Sequence, residues 1–349
     1  MEETGHAPVS APSAGSPPPA RQVIMSGMRP TGRLHMGHWL GVLKNWVALQ
    51  SQSDCYFMVA DWHALTTQWE DTSNIRANIR EVVLDWLAAG VDPAHCHLYI
   101  QSDIPEIAQL HLLLSMMTPV KWVETDPTLK DMVALQKSGE EDGLHYGLLG
   151  YPILQTADIL LMKGTHVPIG RDQEAHLEIS RDLARRFNHV VGRVVFPEPR
   201  PLFTEVSRLI GLDGRKMGKS FNNAIYLSDS EDETAAKVKT AVTDPQRVKR
   251  TDPGDPLACT AVYPYYELFA DTAERETVAG ECRQAARGCM DCKKQLAERI
   301  NEHLRPLRER RKIYENDPAQ LDALIQKGNA GARETAAITL AEARAALSI

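Results

Sequence analysis

The stretch Met25–Gly41, MSGMRPTGRLHMGHWLG, constrains this chain more than any other. It starts in a short apolar run, Gln22–Met25, that suits a buried first strand. It ends in apolar residues at helical spacing from Trp39 to Leu49. Between the two lie Gly27, Gly32 and Gly37, with His35 and His38 one helical turn apart. A strand that passes through a glycine-rich turn into a helix lets backbone approach a ligand closely. The helix start also offers N–H groups to an anion. The histidines can add hydrogen bonds to phosphate oxygens. The plain alternative is a structural turn, and the H-x-G-H pattern alone does not separate the two.

The same rhythm continues along the chain. CYFMVAD (55–61) reads as a second buried strand, and Ile75–Leu87 has helical periodicity that Gly90 stops. His97–Ile100 is a third strand, after which Pro105 opens a helix. Val167–Ile169 is a further strand and Gln173–Phe187 a helix. Strands alternating with helices predict an α/β fold, a doubly wound parallel sheet with helices on both faces. Ligands in such sheets sit beyond the carboxyl ends of the strands. Gly27–His38 and Asp61–His63 should therefore face one crevice. After Ser220 the chain turns to charged helical segments without clear strands or repeats.

The 349 residues suffice for one large or two ordinary domains. Residues 1–20 hold three consecutive prolines, several Ala and Ser, and no Arg or Lys. That composition excludes a secretory signal, argues against a transit peptide, and reads as a disordered tail. The longest apolar runs, such as Leu110–Met117, are too short to span a bilayer, so a cytosolic (cytoplasmic) protein is expected. A net charge of −7 leaves any nucleic-acid contact to local basic patches. Two clusters qualify, Arg247–Lys249–Arg250 and Arg305–Arg308–Arg310–Arg311–Lys312. A solvated face and a phosphate contact both stay open for each. SDSEDE (228–233) reads as a solvated helix start rather than a metal site.

Three further groups carry chemistry. GRKMGKS (214–220) is a glycine-bracketed, lysine-bearing loop. Tyr151, Gln155 and Asp158 share one helix face at i, i+4 and i+7, and Asp158 sits among strongly apolar neighbours. Cys259, Cys282, Cys289 and Cys292 give C-x22-C-x6-C-x2-C. The last three fall within one face of an unbroken helix, although Gly288 could break it, and Cys259 could join them from a loop. Four thiolates suit tetrahedral Zn²⁺ or an iron–sulfur cube. A redox CxxC and four unrelated core thiols are the other readings. Cys55 and Cys96 fall beside strands and read as core residues.

HMGH (35–38) and KMGKS (216–220) resemble, in order and separation, the paired signatures of class I aminoacyl-tRNA synthetases. GRDQ (170–173), followed by Glu178, Arg181, Asp182 and Phe187-Asn188, is similar to the tryptophanyl-tRNA synthetase subfamily. The resemblance runs from about Val23 to the C-terminus. It implies a Rossmann-like catalytic domain over 21–220 and a helical anticodon-binding domain over 221–349, whose last helix returns to the core. It also implies activation of L-tryptophan by ATP with Mg²⁺, transfer to tRNA(Trp), and a homodimer.

The resemblance implies the site residues as well. His35, His38, Lys216 and Lys219 would stabilise the phosphates in adenylation, by hydrogen-bond donation rather than acid–base chemistry. Arg29, Gly37, Asp172, Met217 and Ser220 would complete the ATP site, with Asp172 on the ribose. Asp158 would accept the indole N–H, Tyr151 and Gln173 would hold the ammonium group, and Met25, His63, Gln155, Val167 and Ile169 would complete the tryptophan site. Gly218, Gln155 and Arg29 depart from the residues usual in the family, which are Ser, Met and Gln. A tyrosyl enzyme and a non-charging synthetase-like paralogue are the alternative readings. The cysteine spacing resembles a motif of some bacterial tryptophanyl enzymes that carry a [4Fe-4S] cluster beside the anticodon surface. That resemblance implies the cluster at Cys259, Cys282, Cys289 and Cys292, with Zn²⁺ as the alternative.

Overall fold

In the computed structural model, residues 21–125, 144–170, 174–203 and 209–349 are described. The expected tail (residues 1–20) and Asp172 and Gln173 lie outside them. β1 (Val23–Met28) carries the apolar run onward through Ser26 and Gly27, so Gly27 stands in the strand and not in the turn after it. β2 (Asp54–Val59), β3 (Cys96–Ile100) and β4 (His166–Ile169) fall where apolar runs predicted them. β5 (Arg200–Phe203) was not legible, because Pro201 interrupts a short and only half-buried run. The order is β3-β2-β1-β4-β5, and every recorded pairing is parallel. This is the doubly wound α/β core.

The helix after the HMGH turn is not uniform. Met36–His38 is a single turn, Trp39–Leu43 winds as a π-helix, and Lys44–Leu49 returns to α geometry. The wider winding is a common feature beside functional sites. Ile75–Ala89 follows, ended by Gly90 in the left-handed region at φ 103°.

Both sheet faces are covered by apolar clusters. On one, Trp46 stacks on Phe57 with ring centroids 4.3 Å apart, and Trp86 meets Trp46 edge-on at 5.0 Å. The same cluster continues through Tyr265, Tyr266, Leu296 and Ile300 of the later helices. Those helices include Glu231–Lys239, Tyr263–Phe269, Thr272–Arg283 and Cys289–Glu315. Among the described residues after Ser220 there is no strand. On the other face Tyr99, Leu110, Leu160 and Phe187 pack with Ala332 and Ala336 of the last helix, Pro318–Ala346.

That last helix closes the β3 edge. Asn329 Oδ1 accepts the Ile100 N–H at 2.9 Å, and the Tyr56 hydroxyl meets Thr335 Oγ1 at 2.9 Å. An otherwise open edge is thereby capped. The approach is so close that a Cβ on Gly328 would stand 1.8 Å from the Leu98 carbonyl oxygen.

The second basic cluster divides: Arg305 and Lys312 stay exposed, as the solvated reading expects, and the other three arginines do not. Arg311 is buried and bonds Asp85, Glu81 Oε2 (2.7 Å) and Glu315 Oε1 (2.7 Å). Arg310 Nε reaches the Ala88 carbonyl at 2.8 Å, and Arg308 bonds Asn301 and Thr234. Arg308 and Arg311 share a face at i, i+3, and Arg310 reaches inward from the side of the helix to a carbonyl. The acidic run SDSEDE does start a helix, with Ser230 and Glu233 forming a capping box. Asp229 is the exception, buried against Lys237 Nζ at 2.5 Å.

Gly328→Ala should lower stability by about 1–3 kcal/mol or more, since the new methyl must push the helix off β3. Chemical denaturation against the parent checks this, and an unchanged midpoint would mean the helix is free to shift.

Candidate active site

The HMGH turn is held by its own histidines. His35 caps the helix start: its Nδ1 accepts the Gly37 N–H at 3.1 Å, while His38 Nδ1 accepts the His35 N–H at 3.2 Å. A ring nitrogen that accepts a backbone N–H carries no proton. Both rings are therefore neutral, each with Nε2–H free to donate. Burial, with Lys219 and Lys216 nearby, pushes His35 down to about 4. Burial, then His35 and Lys219, pushes His38 down to about 3. Gly37 is required by this geometry, since a Cβ there would lie 2.9 Å from the His35 ring.

The lysine loop closes over the same turn. Segment 225–227 pairs with 34–36: Met36 N–H donates to the Ile225 carbonyl and Leu227 N–H to the Leu34 carbonyl, each at 2.9 Å. Lys219 Nζ donates to the carbonyls of Thr31 (3.0 Å) and Gly32 (2.9 Å) and to the Thr31 hydroxyl (3.1 Å). Burial lowers its pKa to about 8, against the opposing pull of Asp85. Lys216 and Ser220 are exposed at the mouth. The Met217 side chain is buried in the core, where it anchors the loop, which leaves its backbone as the part that could face a nucleotide.

Sequence reasoning missed Asn223. Its Oδ1 accepts the Gly218 N–H at 2.9 Å, and its Nδ2 donates to Asp213 Oδ1 (2.7 Å) and the Lys216 carbonyl (3.1 Å). One side chain thus staples the loop into shape. Its only trace in the sequence is an asparagine shortly after the lysines, as in many turns.

Beyond β1 and β4 lies a crevice of about 300 Å³. Met25, Gly27, Arg29 and His38 line one part; His63, Tyr151, Gln155, Asp158, Val167 and Ile169 line the other. Helix Tyr151–Leu161 places Tyr151, Gln155 and Asp158 on the facing side, as their spacing predicts. Asp158 is buried, and burial raises its pKa, opposed by the His63 hydrogen bond. Its Oδ2 meets His63 Nε2 at 2.9 Å, and Gln101 Nε2 reaches Oδ1 and Oδ2 at 2.9 and 3.0 Å. Gln101, a second missed residue, is oriented by the Trp62 and His63 N–H groups, which donate to its Oε1 at 3.0 and 3.3 Å. A carboxylate has about four lone-pair positions. Asp158 therefore retains capacity for one more donor from the crevice.

The four later cysteines line one small cavity. Helix Thr272–Arg283 ends after Cys282, and Gly288 caps a new helix that begins at Cys289, so the last three do not share one helix. Burial raises the thiol pKa values of Cys259, Cys282 and Cys292. Arg247 Nη1 lies 3.8 Å from both Cys282 Sγ and Cys289 Sγ, and its Nη2 donates to the Arg250 and Arg287 carbonyls. Arg247 thus faces the thiols, contrary to both sequence readings of its cluster. A Cβ on Gly254 would stand 2.6 Å from Cys282 Sγ. Among the described residues, no three His, Cys, Asp or Glu side chains converge as a single bound ion requires.

Known proteins share this architecture. Residues 19–305 match the family model of class I tRNA synthetases (W and Y). A tryptophan–tRNA ligase of Ralstonia nicotianae is 40% identical, covering 93% of this chain and 98% of its own. One of Thermotoga maritima is 43% identical over 93% and 99%. A crystal structure of tryptophanyl-tRNA synthetase from Campylobacter jejuni, complexed with ADP and tryptophan, superposes with a TM-score of 0.85 at 29% identity. That match covers 94% of this chain and 100% of that one.

Lys219 is cationic below its depressed pKa and loses its charge as pH rises through about 8. Binding of a polyphosphate such as ATP to the free protein should weaken over that interval. Lys219→Arg should move the fall to higher pH; a binding curve flat to pH 9.5 in the parent would contradict the assignment.

Proposed function

Because the chain belongs to the class I tRNA synthetases of the tryptophan and tyrosine branch, we propose that it activates L-tryptophan with ATP and transfers it to tRNA(Trp). The activity is that of a tryptophan–tRNA ligase, forming AMP and diphosphate. The observation that carries this reading is the crevice itself. One end is lined by Arg29 and the neutral His38, on the turn that His35 caps and Lys219 holds; the other ends at a buried carboxylate with capacity for a donor.

In adenylation an oxygen of the tryptophan carboxylate attacks the α-phosphorus. The bond from phosphorus to the bridging oxygen breaks, and diphosphate leaves with the electron pair. No protein nucleophile is needed. The chain's task is to hold the two reactants in line and stabilise charge growing on the phosphates. His35 and His38 donate Nε2–H to the phosphates, and Lys216 and Lys219 neutralise the leaving diphosphate. Arg29, Gly37 and Ser220 complete the ATP site. Among the described residues Asp158 is the one acidic side chain lining the crevice, and Mg²⁺ would enter with the nucleotide as part of the substrate. By resemblance, Asp172 takes the ribose, and Gln173 with Tyr151 the ammonium group.

Asp158 accepts the indole N–H, while Met25, Val167 and Ile169 wall the ring and Gln155 and His63 border it. A buried acceptor discriminates more sharply than shape, because a ligand without the donor leaves it unpaired. The helical region over 221–349 meets the tRNA anticodon, in a cytosolic homodimer. Trp69 and Tyr146 are exposed beside an apolar hollow of about 520 Å³, a surface suited to a second copy.

The four cysteines suit a [4Fe-4S] cluster in number and chemistry. They surround one cavity, and Gly254 leaves room where a side chain would collide with Cys282. Zn²⁺ is the alternative occupant for four thiolates. Bound there, the group would cross-link the helix ends through thiolates and take no part in adenylation. Arg247 would supply positive charge beside Cys282 and Cys289.

Amino-acid-dependent ATP–diphosphate exchange should respond to tryptophan and not to tyrosine or phenylalanine. Asp158→Ala should remove roughly 1–3 kcal/mol of that selectivity; unchanged selectivity would sink the role given to Asp158. Anaerobically purified protein should be brown, with about four irons and four sulfides per chain. Colourless protein with one zinc would decide for zinc, and protein with neither would remove the site.

A further inference from the structure

Asp85 and Arg311 belong to neither signature, and both are buried. Asp85 lies on helix Ile75–Ala89 with no exposed surface, and its Oδ2 accepts the backbone N–H of Leu34 at 2.6 Å. Its Oδ1 is bound by Arg311, on helix Cys289–Glu315. Arg311 is fixed in turn by Glu81 Oε2 and Glu315 Oε1, each at 2.7 Å. Leu34 is the residue before HMGH.

Among the described residues, three side chains or segments hold the backbone of the loop running into HMGH, besides the Arg33 side chain on Ser228. Lys219 holds its start through the Thr31 and Gly32 carbonyls. Leu227 N–H holds the Leu34 carbonyl, and Asp85 holds the Leu34 N–H. Lys219 is also the cation that adenylation uses, so its grip is released when it turns to phosphate. The Leu227 contact comes from the chain just after the lysine loop, eight residues beyond Lys219. Asp85 alone ties the turn to a long helix that neither motif contains. A buried carboxylate is a costly anchor and a stable one only while its partner charge is in place.

We propose that Asp85 is a positioning residue that sets the HMGH turn for ATP, and that Arg311 holds Asp85 in the orientation this requires. The inference rests on the adenylation reading and adds a part to it. It also makes helix Cys289–Glu315 one body with the cysteine cavity at its start and the ATP turn near its end, roughly 30 Å apart at 1.5 Å per residue.

The test compares two double variants of the full chain by tryptophan-dependent diphosphate exchange. Both neutralise the pair and leave no buried lone charge. Asp85→Leu with Arg311→Met removes the acceptor for Leu34; Asp85→Asn with Arg311→Met keeps an amide oxygen in its place. The first should raise KM for ATP about tenfold with KM for tryptophan within about twofold, and the second should recover most of that loss. Equal effects in both, no effect in either, or parallel rises in both KM values would overturn the proposal, the last by indicating general loosening. If the Leu variant fails to fold, Arg311→Lys decides: KM for ATP should rise about threefold, and an unchanged value overturns the proposal. Absence of exchange in the parent chain would instead count against the adenylation reading.

Discussion

β1 is hydrogen-bonded on both sides, to β2 along its whole length and to β4 near its start. The chain runs from β1 outward to β2 and β3, then crosses back to lay β4 on the opposite flank. Helical connections therefore leave β1 and β4 in opposite directions. A gap must open beyond their carboxyl ends, and no helix can fill it. Everything the site uses hangs from that gap. The HMGH turn leaves β1, Asp61 and His63 leave β2, Gln101 leaves β3 and Gly170 leaves β4. The parallel pairing that buries the sheet also aims four loops at one place.

What was legible follows from local periodicity. Buried parallel strands give continuous apolar runs, so four of the five could be read, and the glycine-rich crossing marked where a ligand approaches. The spacing of Tyr151, Gln155 and Asp158 was enough to put them on one face. The failures are all non-local or masked by composition. Pro201 hid β5. Met217 carries no sign of which way it points. A run of arginines on a helix looks the same whether its partners are water or Glu81 and Asp85, which lie more than two hundred residues away in sequence. Asn223 and Gln101 act through hydrogen bonds to backbone, which no sequence pattern records.

The mouth is electrostatically divided. Its histidines are neutral because each gives its Nδ1 lone pair to a backbone N–H, and because burial disfavours a charge there. They add directed donors and no charge. The lysines add charge and little fixed geometry: Lys216 is exposed, and Lys219 rests on carbonyls that a phosphate can replace. A site that must stabilise a leaving diphosphate and then release it is served by this separation. Geometry comes from the rigid turn, and charge from a loop whose hold on that turn is exchangeable.

The two buried carboxylates make the same point from within. Asp85 and Asp158 are both almost inaccessible, and burial raises the pKa of each, Asp85 to about 6. Their neighbours differ in kind. Asp85 faces a guanidinium, which is always charged, and a backbone N–H, one on each oxygen, and it has no exposed surface. Asp158 faces an imidazole and an amide, which supply hydrogen bonds and leave a lone pair open to the crevice. A carboxylate sealed against a charged partner fixes a conformation, and one that lines a crevice can meet a ligand. The first therefore belongs to the scaffold that holds the nucleotide turn. The second selects what the turn's nucleotide will react with. The fold places one behind the signature and the other in front of it, on opposite faces of the same sheet.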